Sequence, residues 1–204
     1  MHFIKLSQNL PRIVQIYTTR MKTLLYKDQK ILMTNTKIGY RKALMKNEIM
    51  SIKILIPDQY FIDEVKSDED LDIIIQTMEF TKPEERQHYK GILISILNIM
   101  PYSLIRDKNS GFPVAFEYVD ACGYMRHQFV QPNHRRQGLG KAVEQDICKK
   151  CINIDITPYK WVGLFNSSVY EATMRSGFWT LWEDNGEPVK LRTMKQTTAN
   201  MPKP

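Results

Sequence analysis

The chain has 204 residues, of which 43% are hydrophobic and 25% charged, the composition of a folded globular protein. No apolar run approaches the roughly 20 residues that a membrane-spanning helix needs, so we expect no membrane span. The formal net charge of +7 divides into +9 for residues 1–57 and −2 for residues 58–204. A slightly acidic main domain argues against nucleic acid as a partner, because phosphate binding needs an excess of positive charge.

The basic charge belongs to an N-terminal segment with an unusual composition. Residues 1–27 contain five basic residues, no acidic residue and scattered apolar ones. This is typical of an organellar transit peptide, and an unstructured basic extension is the alternative. The sequence does not decide whether residues 29–57 add a strand or a helix to the domain. We therefore divide the chain into a basic extension (1–57), a folded domain (58–195) and a disordered tail (196–204).

From residue 58 onward, strand and helix patterns alternate clearly. QYFIDEV indicates a strand, and SDEDLDIIIQTM indicates a helix with Ser67 and Asp70 as its capping box. TKPEERQHYKGILISILNIM indicates a second helix, and three strands follow in YSLIRD, PVAFEYVD and YMRHQFV.

The second half of the domain continues the alternation. KAVEQDICKKCI and SSVYEATMRSG indicate helices on either side of the strand YKWVGLF. FWTLWED and EPVKLRTM form a hairpin around Asn185 and Gly186, a common turn dipeptide. The order β-α-α-β-β-β-α-β-α-β-β predicts an α/β fold with a largely antiparallel, twisted sheet and helices on both faces.

Three cysteines indicate a reduced compartment, since they cannot all pair. Cys148 and Cys151 form a C-x-x-C motif, which occurs in redox and zinc sites. Their spacing with apolar neighbours places both thiols on the buried face of a helix. No second pair of ligands is present, so we predict core residues and no metal site.

The stretch FVQPNHRRQGLGKAVE carries the most definite chemistry. A strand ends at Val130, Pro132 stops it, and a glycine-containing turn leads directly into a helix. Such a turn presents unpaired backbone N–H groups at the positive end of the helix dipole, which favours an anion. Gly138 and Gly140 let the backbone approach a phosphate without an intervening Cβ.

The pattern R-x-x-G-x-G, from Arg135 through Gly138 to Gly140, resembles the pyrophosphate-binding signature of the GNAT acyltransferase superfamily. FNSSVYEATMRSGF resembles that superfamily's second signature, in which Asn166 contacts the pantetheine arm. The resemblance implies an acyl-coenzyme A co-substrate lying between strands 124–130 and 160–165, its thioester polarised by backbone donors near Phe129 and Val130. The residues expected at the coenzyme A site are Phe129, Val130, Arg135, Arg136, Gln137, Gly138, Leu139, Gly140, Lys141 and Asn166.

A narrower resemblance, over about residues 58–190, is to the C-terminal domain of the glycine N-acyltransferase family. The matching positions are Gly111, Pro113, Val114, Phe116, Asp120, Gly123, Met125, Arg126, Pro132, Arg135 and Gly138. The resemblance implies conjugation of an acyl group to glycine or another amino acid. It also implies a mitochondrial location, for which a cytoplasmic one is the alternative. We expect a monomer whose partners are small-molecule substrates.

The sequence departs from both family patterns at the positions of the general base and the general acid. The position of the family's basic Glu is Tyr124, and that of the superfamily's acidic Tyr is Thr173. Tyr124, His127 and Glu117 are therefore the candidate catalytic residues, although strand alternation turns His127 away from Tyr124.

Arg126 shares the face of Tyr124, and its guanidinium fork suits the carboxylate of an amino-acid acceptor. A salt-bridged strand arginine is the alternative. The departure at Tyr124 leaves a second hypothesis open, namely an acyl-coenzyme A binding protein with impaired catalysis.

Overall fold

The computed structural model describes residues 31–41, 46–78, 82–163 and 165–196. The chain divides into a central unit, Leu44–Pro158, and a terminal unit that joins Met1–Ala43 to Tyr159–Pro204. The elements in chain order are β1 (Ile31–Arg41), α1 (Lys46–Ser51), β2 (Tyr60–Asp63), α2 (Asp68–Gln76), a 3₁₀ turn (Pro83–Glu85), α3 (Arg86–Leu97), β3 (Tyr102–Asp107), β4 (Pro113–Val119), β5 (Met125–Val130), a 3₁₀ turn (Pro132–His134), α4 (Leu139–Asn153), β6 (Tyr159–Gly163), α5 (Ser167–Arg175), β7 (Thr180–Leu181), β8 (Glu183–Asp184), β9 (Glu187–Pro188) and β10 (Lys190–Gln196).

The central unit contains an antiparallel sheet in the order β2-β3-β4-β5. Pairing between β4 and β5 is interrupted by a bulge. Phe116 pairs with Phe129 and Tyr118 with Arg126, so the single residue Glu117 faces two residues of β5. A bulge of this kind bends the strand and re-aims its side chains.

Helices cover both faces of this sheet, as the sequence predicts. On one face Ile105 and Ala115 pack against α4. On the other face Leu104 and Phe116 pack against α2 and α3. Because neighbouring residues of a strand point to opposite faces, β3 contributes buried side chains to both layers. The mixed α/β class and the largely antiparallel sheet are confirmed.

A buried ion network joins β2, α2 and β3. The Arg106 guanidinium lies 2.6 Å from Asp63 Oδ2 and 2.8 Å from Asp70 Oδ2. The hydrogen bond from Arg106 holds the pKa of Asp70 below its ordinary value. Ser67 is the N-cap of α2 as predicted, and its Oγ accepts from the Asp70 N–H at 3.4 Å. The Asp70 carboxylate accepts from the Lys66 N–H at 2.8 Å and from the Ser67 backbone. Removing one partner of such a buried pair costs about 3–5 kcal/mol.

In the terminal unit, β1 pairs antiparallel with β10, β6 and β7. β1 and α1 both lie in the segment whose structure the sequence left undecided. β8 and β9 form the predicted hairpin, with Asn185 and Gly186 both at positive φ as a tight turn requires.

Two predictions fall outside the described residues. The basic segment 1–27 and positions 197–204 of the predicted tail are not among them, whereas Gln196 is the last residue of β10. Within the part of the chain that the structure describes, no helix is both long and apolar enough to cross a membrane.

Candidate functional site

The connection from β5 to α4 is a tight loop. It begins with the Pro132–His134 3₁₀ turn and passes through two residues at positive φ, Arg136 at 60° and Gly138 at 82°. Leu139 then starts α4 with a side chain only 1% exposed, which anchors the loop in the core. Since Leu139 is buried, its backbone amide is the part that can reach a ligand.

The loop ends on the positive pole of a 15-residue helix. Gly138 is the N-cap, and the first helical bond runs from the Ala142 N–H to its carbonyl. The amides of the first turn have no acceptor within the helix and can donate to an anion.

The two glycines of the loop have different roles. Nothing lies within 4 Å of a Cβ built on Gly138, so its positive φ is what requires glycine there. A Cβ on Gly140 would lie 3.5 Å from Val130 Cγ2, so it would point toward β5 and not toward a ligand. The predicted approach of a phosphate to these two glycines stays a prediction.

The polar side chains of the loop are held in different ways. Arg135 donates from Nε to the Val130 carbonyl at 3.0 Å, and its guanidinium lies 5.7 Å from the centre of the Phe129 ring. Arg136 is exposed. Gln137 Oε1 accepts from the Tyr60 hydroxyl at 3.1 Å, which ties the loop to β2.

A cavity of about 420 Å³ adjoins the start of α4. Its lining residues are Lys53, Leu55, Ile56, Pro57, Gln137, Gly138, Lys141 and Gln145. Sequence reasoning did not find the contribution of residues 53–57, which lie about 80 positions upstream of the loop and carry no motif. The cavity is a partly open volume beside the start of α4.

The predicted polarising amides near Phe129 and Val130 point in opposite directions. Gln131 donates its N–H to the Val114 carbonyl on β4. Successive N–H groups of a strand alternate sides, so the Phe129 N–H also points toward β4 and the Val130 N–H points away from it. Of the two, the Val130 amide is the one directed away from the β4 ladder.

A second cluster lies where β4 ends and β5 begins. Asp120 Oδ2 is 3.3 Å from Arg126 Nη1, Asp120 Oδ1 accepts from the Cys122 N–H at 2.7 Å, and Tyr124 hydrogen-bonds the same carboxyl. The structure thus brings Tyr124 and Arg126 together through Asp120. From the sequence alone, Asp120 is only a motif position.

Burial governs the ionisation of this cluster. It raises the pKa of Asp120, an effect that Arg126 opposes, and it raises the pKa of Tyr124, an effect that the neighbouring Asp120 strengthens. Tyr124 is therefore a neutral phenol at pH 7 that donates toward a carboxyl group. In this arrangement it is not a base.

His127 occupies the bulge with an unusual backbone, φ 57°. Its Nε2 lies 2.8 Å from the Thr77 hydroxyl, which itself donates to the Ile74 carbonyl at 2.6 Å. The hydroxyl must then accept from His127, so the ring proton is on Nε2 and the free lone pair is on Nδ1. Burial lowers the pKa of His127 from 6.5 to about 4.

Strict alternation fails at this bulge. Arg126 pairs opposite Tyr118, and the His127 ring lies 6.2 Å from the Tyr118 ring. Both residues therefore approach the same tyrosine, whereas strand alternation predicts opposite faces for them. The inserted residue changes which face His127 occupies.

Glu117 is buried on the α4 side of the sheet. The Gln128 amide donates to Glu117 Oε2 at 3.3 Å and to the Gly140 carbonyl at 2.9 Å. Glu117, Tyr124 and His127 thus have separate partners, and the structure does not gather them into one catalytic group.

The C-x-x-C motif has the predicted structural role. Cys148 and Cys151 are fully buried in α4, and Cys148 contacts the Met125 sulfur at 3.8 Å. Burial raises the pKa of Cys151 to about 12, so its thiol is protonated at neutral pH. Among the described residues, no group of three or more His, Cys, Asp or Glu side chains is placed to hold a metal ion.

Asn166 belongs to the terminal unit. Its side chain is the N-cap of α5, and its Oδ1 accepts from the Val169 N–H at 3.3 Å. Its contact with a pantetheine arm, and the placement of a donor between strands 124–130 and 160–165, stay predictions.

No protein-family model and no curated protein matches the sequence. Solved structures do match the fold. A Drosophila protein aligns with a TM-score of 0.65 at 15% identity, covering 89% of this chain and 57% of its own. A GCN5-related N-acetyltransferase from Sphaerobacter thermophilus aligns with a TM-score of 0.57 at 11% identity, covering 88% and 56%.

A tandem GNAT protein from the clavulanic acid biosynthesis pathway aligns with a TM-score of 0.56 at 10% identity, covering 84% of this chain and 57% of that protein. The chain thus spans a little over half the length of each of these three proteins. At such identities the likeness concerns the fold, and the chain has the fold of the GNAT N-acetyltransferases.

Proposed function

We propose that the protein transfers an acyl group from acyl-coenzyme A to an amine. The observation that carries this proposal is the β5–α4 loop, in which Gly138 at positive φ opens the first turn of α4 to an anion. The GNAT fold and the R-x-x-G-x-G pattern both support acyl-coenzyme A as that anionic ligand. Arg136 and Lys141 add positive charge beside the loop amides.

The reaction forms a C–N bond and breaks a C–S bond. A neutral amine attacks the thioester carbonyl, coenzyme A leaves as the thiolate, and the proton lost by the amine ends in solvent or on a nearby base. Among the candidate residues, His127 has a free lone pair, but a pKa of about 4 makes it a weak base. We infer that positioning of the reactants, which can supply about 7–11 kcal/mol, provides most of the acceleration.

The acceptor site lies, in this proposal, at Arg126. Its side chain is 51% exposed and anchored by Asp120, so part of the guanidinium can bind a second carboxylate. An amine that also carries a carboxylate fits this arrangement, which favours glycine or another amino acid. The narrower resemblance to the glycine N-acyltransferase family supports the same acceptor class and a mitochondrial location.

Release of free thiol from acetyl-coenzyme A, measured with a panel of amino acids and simple amines, tests this function. We expect release with an amino acid and little with the matching amine that lacks a carboxylate. Arg126→Met should raise the KM for the amino acid about tenfold and leave the KM for acetyl-coenzyme A unchanged. Thiol release at the uncatalysed rate with every acceptor would contradict the proposal.

A second candidate, an acyl-coenzyme A binding protein with impaired catalysis, is favoured by the state of Tyr124. This residue occupies the family's base position as a buried hydrogen-bond donor. Tyr124→Glu decides between the two. If the wild type binds acetyl-coenzyme A without turnover and the variant acquires turnover, the binding protein is the better description. Turnover by the wild type that stays equal or falls in the variant supports the enzyme.

A further inference from the structure

We propose that Tyr60 is a positioning residue for donor binding. Its hydroxyl joins His134 to Gln137 and so holds Arg136, which lies between them, in the strained conformation of the β5–α4 loop. This inference rests on the proposed function. It assigns no part of the ligand to a new site, and it gives a role in the reaction to a residue of β2 that no motif marks.

The side chain of Tyr60 connects the hydrophobic core to the loop. Tyr60 is the first residue of β2 and is only 4% exposed. Its ring belongs to a core cluster that includes Leu139 and Val143 of α4. Because close packing at the start of α4 fixes the ring, the hydroxyl has a defined position beside the loop that precedes the helix.

The hydroxyl hydrogen-bonds two side chains of the loop. It lies 3.1 Å from Gln137 Oε1 and 2.9 Å from His134 Nδ1. A phenol has one proton and an amide oxygen can only accept, so the hydroxyl donates to Gln137 and accepts from a proton on His134 Nδ1. The His134 ring also meets the Tyr60 ring edge-on, with the ring centres 5.7 Å apart. Tyr60 therefore determines the tautomer of His134 as well as its position.

The loop side chains that Tyr60 binds lie on either side of two exposed ones. Residues 135–136 are exposed, whereas His134 and Gln137 are half-buried. Gln137 Oε1 also accepts from Gln59 Nε2 at 3.0 Å, so this end of the loop has a second bond to the start of β2. The chain is thus fixed to Tyr60 both before and after residues 135–136.

Arg136 is the strained residue of this segment. Its φ is 60°, in the left-handed region that a residue with a side chain seldom adopts. Such a conformation persists where surrounding contacts hold it, and the bonds of His134 and Gln137 supply contacts on both sides. Gly138, the N-cap of α4, follows directly after Gln137. A return of Arg136 to an ordinary φ would redirect the chain just before the helix amides, and the bonds to Tyr60 oppose that change.

Tyr60→Phe tests this role, because it removes the hydroxyl and keeps the ring in the core. In calorimetric titration of the full chain, we expect coenzyme A to bind about tenfold more weakly. The KM for acetyl-coenzyme A should rise by a similar factor, while the KM for the amino-acid acceptor stays unchanged.

Tyr102→Phe is the matched control for the loss of a hydroxyl. The Tyr102 hydroxyl also forms a hydrogen bond within the central unit, accepting from the Val65 N–H at 3.2 Å, but it does not bind the loop. This variant should leave the affinity for coenzyme A unchanged. An equal loss of affinity in Tyr102→Phe and Tyr60→Phe would overturn the inference, and so would unchanged affinity in Tyr60→Phe.

A double-mutant comparison isolates the strain at Arg136. Arg136→Ala removes the guanidinium and keeps the strained φ, whereas Arg136→Gly removes both, since glycine adopts this region freely. Adding Tyr60→Phe should weaken coenzyme A about tenfold in the Arg136→Ala background and at most about threefold in the Arg136→Gly background. Equal losses in the two backgrounds would overturn the inference, because the hydroxyl would then not act through the strained residue.

Nitrogen NMR of the ligand-free chain separates the inference from the function on which it rests. We expect the proton of the neutral His134 ring on Nδ1 in the wild type, and loss of this preference in Tyr60→Phe. A ring proton on Nε2 in the wild type would overturn the inference whatever the affinities. If the wild type shows the Nδ1 proton but binds no coenzyme A, the proposed function fails and the positioning role fails with it. If Tyr60→Phe binds coenzyme A as tightly as the wild type, only the positioning role fails.

Discussion

At the start of α4 the chain offers backbone amides and exposed cations, whereas at the start of β5 it offers side chains that already bind one another, a buried Asp120 and a half-exposed Arg126. We call the loop 132–141 with its cavity the donor end, and the cluster of Asp120, Tyr124 and Arg126 the acceptor end. In the proposed function the donor end needs no rearrangement, because its shape depends on glycine geometry and a helix dipole. At the acceptor end, a substrate must compete with internal hydrogen bonds.

In the proposed function, donor affinity and acceptor selectivity arise at different ends of the site. In the proposed function, a preformed anion site determines affinity for the donor, and it depends on backbone shape more than on any one side chain. At the acceptor end, the polar side chains already hydrogen-bond one another. In the proposed function, an acceptor must therefore displace these hydrogen bonds or add to them, which limits the acceptors that can bind. Substitutions at the two ends should therefore separate cleanly into effects on donor binding and effects on acceptor use.

The largest expected effect comes from Gly138→Val. A β-branched residue is strongly disfavoured at φ 82°, so the loop must change its path to relieve the strain. We expect coenzyme A affinity to fall about a hundredfold in a calorimetric titration. Gly186→Val is the matched control, since it has φ 80° and open space around its Cβ but lies in the β8–β9 turn. A similar loss in both variants would show that the effect is general destabilisation.

Acidification should lower the free energy of unfolding because His127 is buried in its neutral form. Its folded pKa of about 4 lies below the ordinary 6.5, so between these values the unfolded chain binds more protons than the folded one. Stability is full above pH 6.5 and falls as the pH drops toward 4. At pH 5 this loss is about 1–2 kcal/mol, and His127→Gln should abolish most of it in urea unfolding measured at pH 7 and pH 5. An equal loss in the wild type and the variant would contradict the buried, neutral state of His127.

A smaller effect is expected from Asp120→Asn, which weakens the anchor of Arg126. The KM for the amino-acid acceptor should rise about fivefold in the thiol-release assay, while coenzyme A affinity stays unchanged. A change in donor affinity instead would break the separation between the two ends.

The same variant has a consequence for stability. Burial raises the pKa of Asp120 in the folded chain, so stability is full below the unfolded value near 3.8 and is lost as the pH rises through the folded one. Asp120→Asn should remove this loss, and unfolding should become less dependent on pH from 3.8 upward. Urea midpoints measured across pH 4–7 check the sign of this change in stability with pH, which is opposite to the change expected for His127.

The sequence predicts the donor end better than the acceptor end, and the reason is physical. The donor end is one continuous segment, and the strand, turn, glycine and helix signals that shape it are all local. The acceptor end depends on tertiary contacts. The bulge at Glu117 changes the face that His127 occupies, and Asp120 joins Tyr124 to Arg126 only once β4 and β5 pair.

Two further features could not be predicted for a related reason. β1 is defined by pairing with strands more than 110 residues away in the chain, and its own segment carries no strong turn signals. Lys53 reaches the cavity because α1 and the segment after it pack beside α4, and no spacing in the sequence encodes this. The overall order of elements was predictable because each helix and strand is periodic by itself.

Hydrogen exchange of the full chain, with and without saturating acetyl-coenzyme A, tests whether the amides at the start of α4 bind the donor. The amides of Gly138, Leu139, Gly140 and Lys141 have no intrahelical acceptors, so they should exchange fast in the free protein and slow at least about tenfold when the ligand accepts from them. The Asp120 cluster should change little without an acceptor. If acetyl-coenzyme A binds and these four amides keep their free exchange rates, the loop is not the donor site.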